Sequence, residues 1–168
     1  MASPLRFDPI AEAKRQWDAR WPSAALAMAA ATSIMRAQQL VLSTVDEALR
    51  PFDLTFARYE ALVLLSFTRH GEMPLSKMGP RLMIHPTSVT NIVDRLEDAH
   101  LVQRTPHAND RRVTLARITP HGRELTNRAT KAVNRIRFGI AGVDADRMAE
   151  LVTILASFRQ ASGDFVLD

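Results

Sequence analysis

Thr87, Ser88, Thr90, Asn91 and Arg95 fall in one short stretch behind the triplet His85-Pro86-Thr87. If the stretch is a helix, with about 100° between residues, Val89, Ile92, Val93 and Leu96 gather on one side. Thr87, Ser88, Asn91, Asp94 and Arg95 then share the other, with Thr90 at the margin. Small hydroxyls and an amide at the start of a helix can bond base edges and phosphate oxygens in a major groove. The helix N-terminus adds backbone donors and positive potential. A plain solvated face uses the same residue types.

Asp110-Arg111-Arg112 forms a second constellation. One arginine can enter a narrow minor groove and the other can fork onto a phosphate. Asp110 suits pinning an arginine or capping the turn better than meeting a polyanion. Between Leu101 and Arg123 five arginines face Asp110 alone, a local excess equal to the whole chain's net charge of +4. A local basic patch fits a polyanion partner; a solvated basic hairpin has the same composition.

Other chemistries find little support. The 168 residues include no cysteine, which excludes disulfides, thiolate metal sites and cysteine nucleophiles. The six glycines form neither dinucleotide nor nucleotide phosphate loops. The five histidines show no metal-binding spacing, and there is no GxSxG elbow. No cofactor and no metal are expected. Asp94, Glu97 and Asp98 form an acidic cluster of the kind that is solvated or paired with arginine. No unbroken apolar run approaches the roughly 18 residues of a spanning helix, so a cytoplasmic protein with no membrane contact is expected.

The elements that would hold these residues follow from caps and periodicity. Asp8-Pro9 opens a helix to about Trp21, and Ser23 is expected to cap a longer one reaching about Leu49. Thr55 starts a third, closed by Gly71, and Ser76 caps a short fourth over Lys77–Leu82. His85-Pro86-Thr87 opens the helix described above, to about Ala99. Leu101–Thr105 and Val113–Thr119 read as strands joined by a long tip over residues 106–112. Thr119-Pro120 restarts a helix, Gly139 and Gly142 interrupt it, and Asp144 caps the last, ending near Gly163. From Thr55 the order is helix, short helix, helix, basic hairpin, helix, which is a winged helix–turn–helix. The fold class is therefore mainly α with a small β-wing. The terminal helices carry apolar stripes that either wrap the domain or pair with a second copy; two-fold pairing would set two recognition helices one DNA turn apart.

From Leu54 to Asn134 the chain resembles the MarR family of bacterial transcriptional regulators. The residues that carry the resemblance are Leu54 through Leu62 (LTFARYEAL), His85 through Glu97 (HPTSVTNIVDRLE), Asp110-Arg111-Arg112, and Ile118 through Gly122 (ITPHG). The resemblance implies one domain over 1–168, with dimerisation helices at 8–50 and 120–163 around a DNA-binding winged helix over 54–119. It implies a homodimer on a palindromic operator, usually as a repressor, released by a small aromatic, phenolic or anionic effector. It places DNA contacts at Thr87, Ser88, Thr90 and Asn91, and at Arg112 with Asp110 as its partner. Arg95 and Arg111 join them from the residue analysis. The helix before Pro22 resembles the extra N-terminal helix of the family's urate-responsive subgroup, where a tryptophan helps to form the ligand site. Trp17 matches it and Trp21 is the second candidate; as large aromatics on a short helix, both equally suit anchoring to the core. Two other classes stay open on sequence alone: an enzyme whose site forms only in three dimensions, and a winged-helix protein–protein adaptor.

Overall fold

A computed structural model describes residues 5–108 and 110–166. Asn109 and the Arg111 side chain lie outside the described part, so the expected Arg111 contact has no geometry here. In chain order the elements are α1 (Pro9–Arg20), α2 (Ala25–Leu49), α3 (Phe56–Ser66), β1 (Glu72–Pro74), α4 (Leu75–Leu82), α5 (Pro86–Asp98), β2 (Val102–His107), β3 (Asp110–Ile118), α6 (Pro120–Arg135) and α7 (Ala145–Ala161). Short 3-10 turns follow α1, α2 and α6. This is the expected helical fold with a small antiparallel sheet, in strand order β1-β3-β2.

The caps explain most helix starts. Asp8 accepts the Ile10 N–H at 2.8 Å, Thr119 accepts from Gly122 at 2.9 Å, and Asp144 accepts from Arg147 at 2.9 Å. Two expected caps are corrected. Ser23 lies inside the 3-10 turn Pro22–Ala24, so α2 starts at Ala25 without a side-chain cap. Pro74 holds the extended residue before α4, which leaves Ser76 in its first turn. α3 ends at Ser66 and not at Gly71, because Phe67 and Thr68 already turn back onto Val63 and Leu65 carbonyls.

The wing is tighter than its composition suggests. β2 runs through Pro106 to His107 and β3 begins at Asp110, so both strands extend into the expected long tip. Pro106 fits because β2 is an edge strand, and the register shifts between Pro106 and His107.

One core joins α3, α4, α5, α6, the sheet and the C-terminal end of α2. Leu49, Leu62, Leu65, Met78, Val93, Leu96 and Val133 are fully buried in it. Tyr59 on α3 and Thr130 on α6 share a hydrogen bond of 3.0 Å. Gly122 passes so close to the Leu101 carbonyl that a Cβ there would collide with it. α1 and α7 bury no residue at all, and α2 buries only Ala25, Val45 and Leu49. Leu26, Ile34, Met35 and Leu40 on α2 and Leu151, Val152, Ile154 and Phe158 on α7 are exposed. Between these helices Ile34, Ala37, Val41, Ile140, Leu151 and Leu155 line an apolar groove of about 400 Å³.

The segment Pro22–Phe52 is apolar on average although its unbroken apolar runs are short. It is long and apolar enough, by length and composition, to cross a membrane, with a mean hydropathy of 1.2 and 6% of that window buried. Thr32, Ser33, Arg36, Gln38 and Gln39 break the run without lowering the average below that level.

Candidate nucleic-acid interface

α5 presents its polar face as the periodicity predicts. The His85 ring nitrogen Nδ1 accepts the Thr87 N–H at 3.3 Å, and Pro86 occupies the first helical position. Val89, Val93 and Leu96 are buried, Ile92 partly so. Thr87, Ser88, Thr90, Asn91 and Arg95 are all exposed. The Thr90 hydroxyl donates back to the Pro86 carbonyl at 3.3 Å, and the Thr87 hydroxyl lies 3.2 Å from His85 Nδ1. Ser88 and Asn91 make no side-chain hydrogen bond among the described residues.

Arg104, on β2, ties this helix to the wing, and sequence reasoning did not single it out. Its backbone N–H donates to Glu97 Oε1 at 2.8 Å. Its guanidinium donates to Glu97 Oε2 and to Asp94 Oδ1, both at 2.5 Å, and reaches the Thr90 carbonyl at 3.4 Å. The Arg104 backbone N–H and guanidinium hold the Glu97 carboxyl below the usual carboxylate range. Asp94 and Glu97 of the acidic cluster on α5 are thus paired with arginine, as their type suggested. The signal was the helix spacing of Asp94 and Glu97, which puts both on the side of α5 that β2 crosses.

At the wing tip Asp110 does pin an arginine. Its carboxylate accepts the Arg112 backbone N–H at 3.0 Å and the Arg112 guanidinium at 3.1 Å. These bonds, the side-chain one foremost, lower the Asp110 pKa. The Arg112 side chain is otherwise 92% exposed, so its guanidinium projects from the hairpin. On β3, Arg117 pairs with Glu72 of β1, directly opposite in register. The local excess counted along the chain therefore shrinks in space, because Glu72, Asp94 and Glu97 come from outside that stretch.

The tryptophans pair with each other. Their ring centroids lie 4.9 Å apart, with Trp21 54% exposed. The cavity beside α1 is lined by Phe7, Asp8, Ala11, Glu12 and Arg15, and by neither tryptophan. A second cavity, of about 250 Å³, lies among Phe56, Tyr59, Val63, Phe67 and Phe138, with Glu60 at its edge. Burial pushes the Glu60 carboxyl above its ordinary pKa. Among the described residues no group of three or more histidine or carboxylate side chains could hold a metal ion.

Comparison with known proteins agrees with this geometry. Residues 54–114 match the sequence profile of the MarR family. The chain is 32% identical over 108 residues to the helix-turn-helix transcriptional regulator YhbI of Bacillus subtilis, covering 64% of this chain and 67% of that one. It is 31% identical over 101 residues to the transcriptional repressor MdtR of the same organism, covering 56% and 65%. Among solved structures it resembles Sco5413, a MarR family transcriptional regulator of Streptomyces coelicolor, with 51% identity, a TM-score of 0.78, and coverage of 84% of this chain and 98% of that one. An exposed Thr/Ser/Asn helix face locked to an arginine-tipped hairpin, on a fold shared at 51% identity, leads to one conclusion: the chain belongs to the MarR family of winged-helix, DNA-binding transcriptional regulators.

Proposed function

We propose that the protein is a homodimeric repressor of the cytoplasm that binds a palindromic operator and is released by a small organic effector. Dimerisation through residues 8–50 and 120–163 would cover the exposed apolar faces of α2 and α7, which one protomer leaves open to water. Two copies of the 54–119 unit then meet one duplex, with recognition helices roughly 34–36 Å apart. Thr87, Ser88, Thr90, Asn91 and Arg95 face the major groove. Arg112, aimed by Asp110, and Arg111 reach the adjoining minor groove or backbone. The protein is a binding protein and not an enzyme. The relative MdtR is named as a repressor, which supports that direction of control.

The observation that carries this reading is the Arg104 tie, which presents helix face and wing as one surface. A gel shift on the protein's own upstream region, with sedimentation of the free protein, tests it. A dimer that retards this DNA over random DNA is expected. A monomer, or equal retardation of both DNAs, overturns it.

A further inference from the structure

Among the described residues other than glycine, Asp53, Met83, His100, Arg137 and Phe138 have a left-handed backbone. Aspartate and histidine adopt that conformation more readily than most side chains. Arg137 and Phe138 lie in the turn after α6, and Phe138 lines the Phe56/Tyr59 cavity. Met83 has no such compensation. It ends α4 with φ 53° and ψ 42°, where helices commonly take glycine. Its side chain is 79% exposed, so no buried contact offsets the strain.

The turn between α4 and α5 holds Met83 outward. The Met83 N–H donates to the Gly79 carbonyl, and the Ile84 N–H donates to the same oxygen at 3.1 Å. A Cβ on Gly79 would come within 3.0 Å of the Ile84 carbonyl, so the turn is closely packed. Leu82 and Ile84, on either side, pack against the core. Two residues further on, His85 caps α5 ahead of the exposed Thr87 and Ser88. Met83 therefore stands beside the end of the recognition helix that enters a major groove.

The surrounding charge selects the partner. From Met73 to Val93 the chain has no Asp or Glu. Lys77 and Arg81 on α4 are exposed and make no ion pair among the described residues. The Arg81 guanidinium donates to the Lys77 carbonyl at 3.3 Å. An apolar tip on a basic, acid-free stretch fits a duplex, whose phosphates flank one apolar group in the major groove, the thymine C5-methyl.

We propose that Met83 is a specificity-determining residue that reads a thymine methyl at one position of each half-site. This rests on the reading of the protein as an operator-binding regulator, and it adds a contact from outside both the recognition helix and the wing. A flexible, polarizable thioether adapts to the methyl without demanding one rotamer. The strained backbone is retained because it aims that side chain at the groove.

The test uses the full chain and a duplex of its own upstream region, with each thymine replaced in turn by deoxyuridine, which lacks only the methyl. At one position per half-site deoxyuridine should weaken wild-type binding by about fourfold, the scale of burying one methyl group. Met83→Gly should bind the unmodified duplex about fourfold more weakly per half-site and show no response to deoxyuridine there. Its melting temperature should rise by about 2–4 °C, because the strain is relieved. Met83→Leu, apolar and of similar volume, should keep the response. Weaker binding by a more stable protein is not the signature of a damaged fold. The proposal is overturned if deoxyuridine affects wild type and Met83→Gly alike at every position, if Met83→Gly melts below wild type, or if Met83→Leu loses the response. A protein that retards the upstream DNA without this coupling loses the Met83 contact alone; one that retards no DNA loses the regulator reading as well.

Discussion

The Arg104 guanidinium lies 2.5 Å from Glu97, so a strand of the wing holds the recognition helix by its acidic side. The same guanidinium takes Asp94 at 2.5 Å. Two carboxylates that would otherwise stand beside a polyanion are neutralised, and the angle between helix and wing is fixed.

Arg104→Ala should therefore harm binding without touching DNA. It leaves Asp94 and Glu97 unpaired near the duplex and frees the hairpin. We expect a loss of about tenfold or more in operator affinity, on the scale of one charge-assisted hydrogen bond. A fall in stability of about 1–2 kcal/mol should accompany it. Gel shifts and urea unfolding of the same preparation measure both, and unchanged affinity would show that the tie is structurally idle.

Arg112→Ala and Asn91→Ala should separate positioning from sequence reading. Removing the exposed Arg112 should weaken all DNA and reduce the salt slope of log K by about one. Removing Asn91 should cost about 1–3 kcal/mol of discrimination at one base position in each half-site. Binding to a panel of single-base operator variants, at two salt concentrations, distinguishes the outcomes.

The wing–helix tie should weaken in acid. Glu97 is depressed in the folded protein, chiefly by the Arg104 backbone N–H. Its contribution to stability is full above the ordinary carboxylate pKa, and drains as pH falls through the lower folded value. Urea midpoints between about pH 6 and pH 3 should fall more steeply for wild type than for Glu97→Gln; parallel curves would contradict the assignment.

Gly122→Ala should destabilise without affecting contacts to DNA. The new methyl meets the Leu101 carbonyl at the entry to α6, which backbone cannot yield cheaply. We expect a loss of about 1–3 kcal/mol, read as a lower melting temperature.

Asp46 makes the joint between α2 and α3 stiff. Its carboxylate accepts the Phe56 N–H at 2.6 Å, across the turn at Pro51. Asp46→Ala should cost about 1 kcal/mol, as loss of a cap does, and should reduce the response of operator affinity to an effector. Urea unfolding and a titration with effector present check the two parts.

Some of this was legible in the sequence because the information is local. The polar and apolar faces of α5 follow from its period, and His85, Thr119 and Asp144 sit where caps are needed. Asp110 beside Arg112 announced its own role. Serine alone was a poor guide to helix starts, since Pro22 and Pro74 fix the chain before Ser23 and Ser76 can act. The wing tip was overestimated because Pro106, a turn former by type, is tolerated on an edge strand. Charge was the larger miss. Counting along Leu101–Arg123 cannot see Glu72, Asp94 or Glu97, which the sheet and α5 bring to Arg117 and Arg104.

α2 runs as one helix of 25 residues from Ala25 to Leu49, without an internal proline or glycine. A rod of that length, about 37 Å at 1.5 Å per residue, turns a rotation of about 5° into a shift of about 3 Å at its tip. In the proposed dimer, leverage of this kind would let a small adjustment between the two copies misplace both α5 helices on their half-sites, with no element having to unfold.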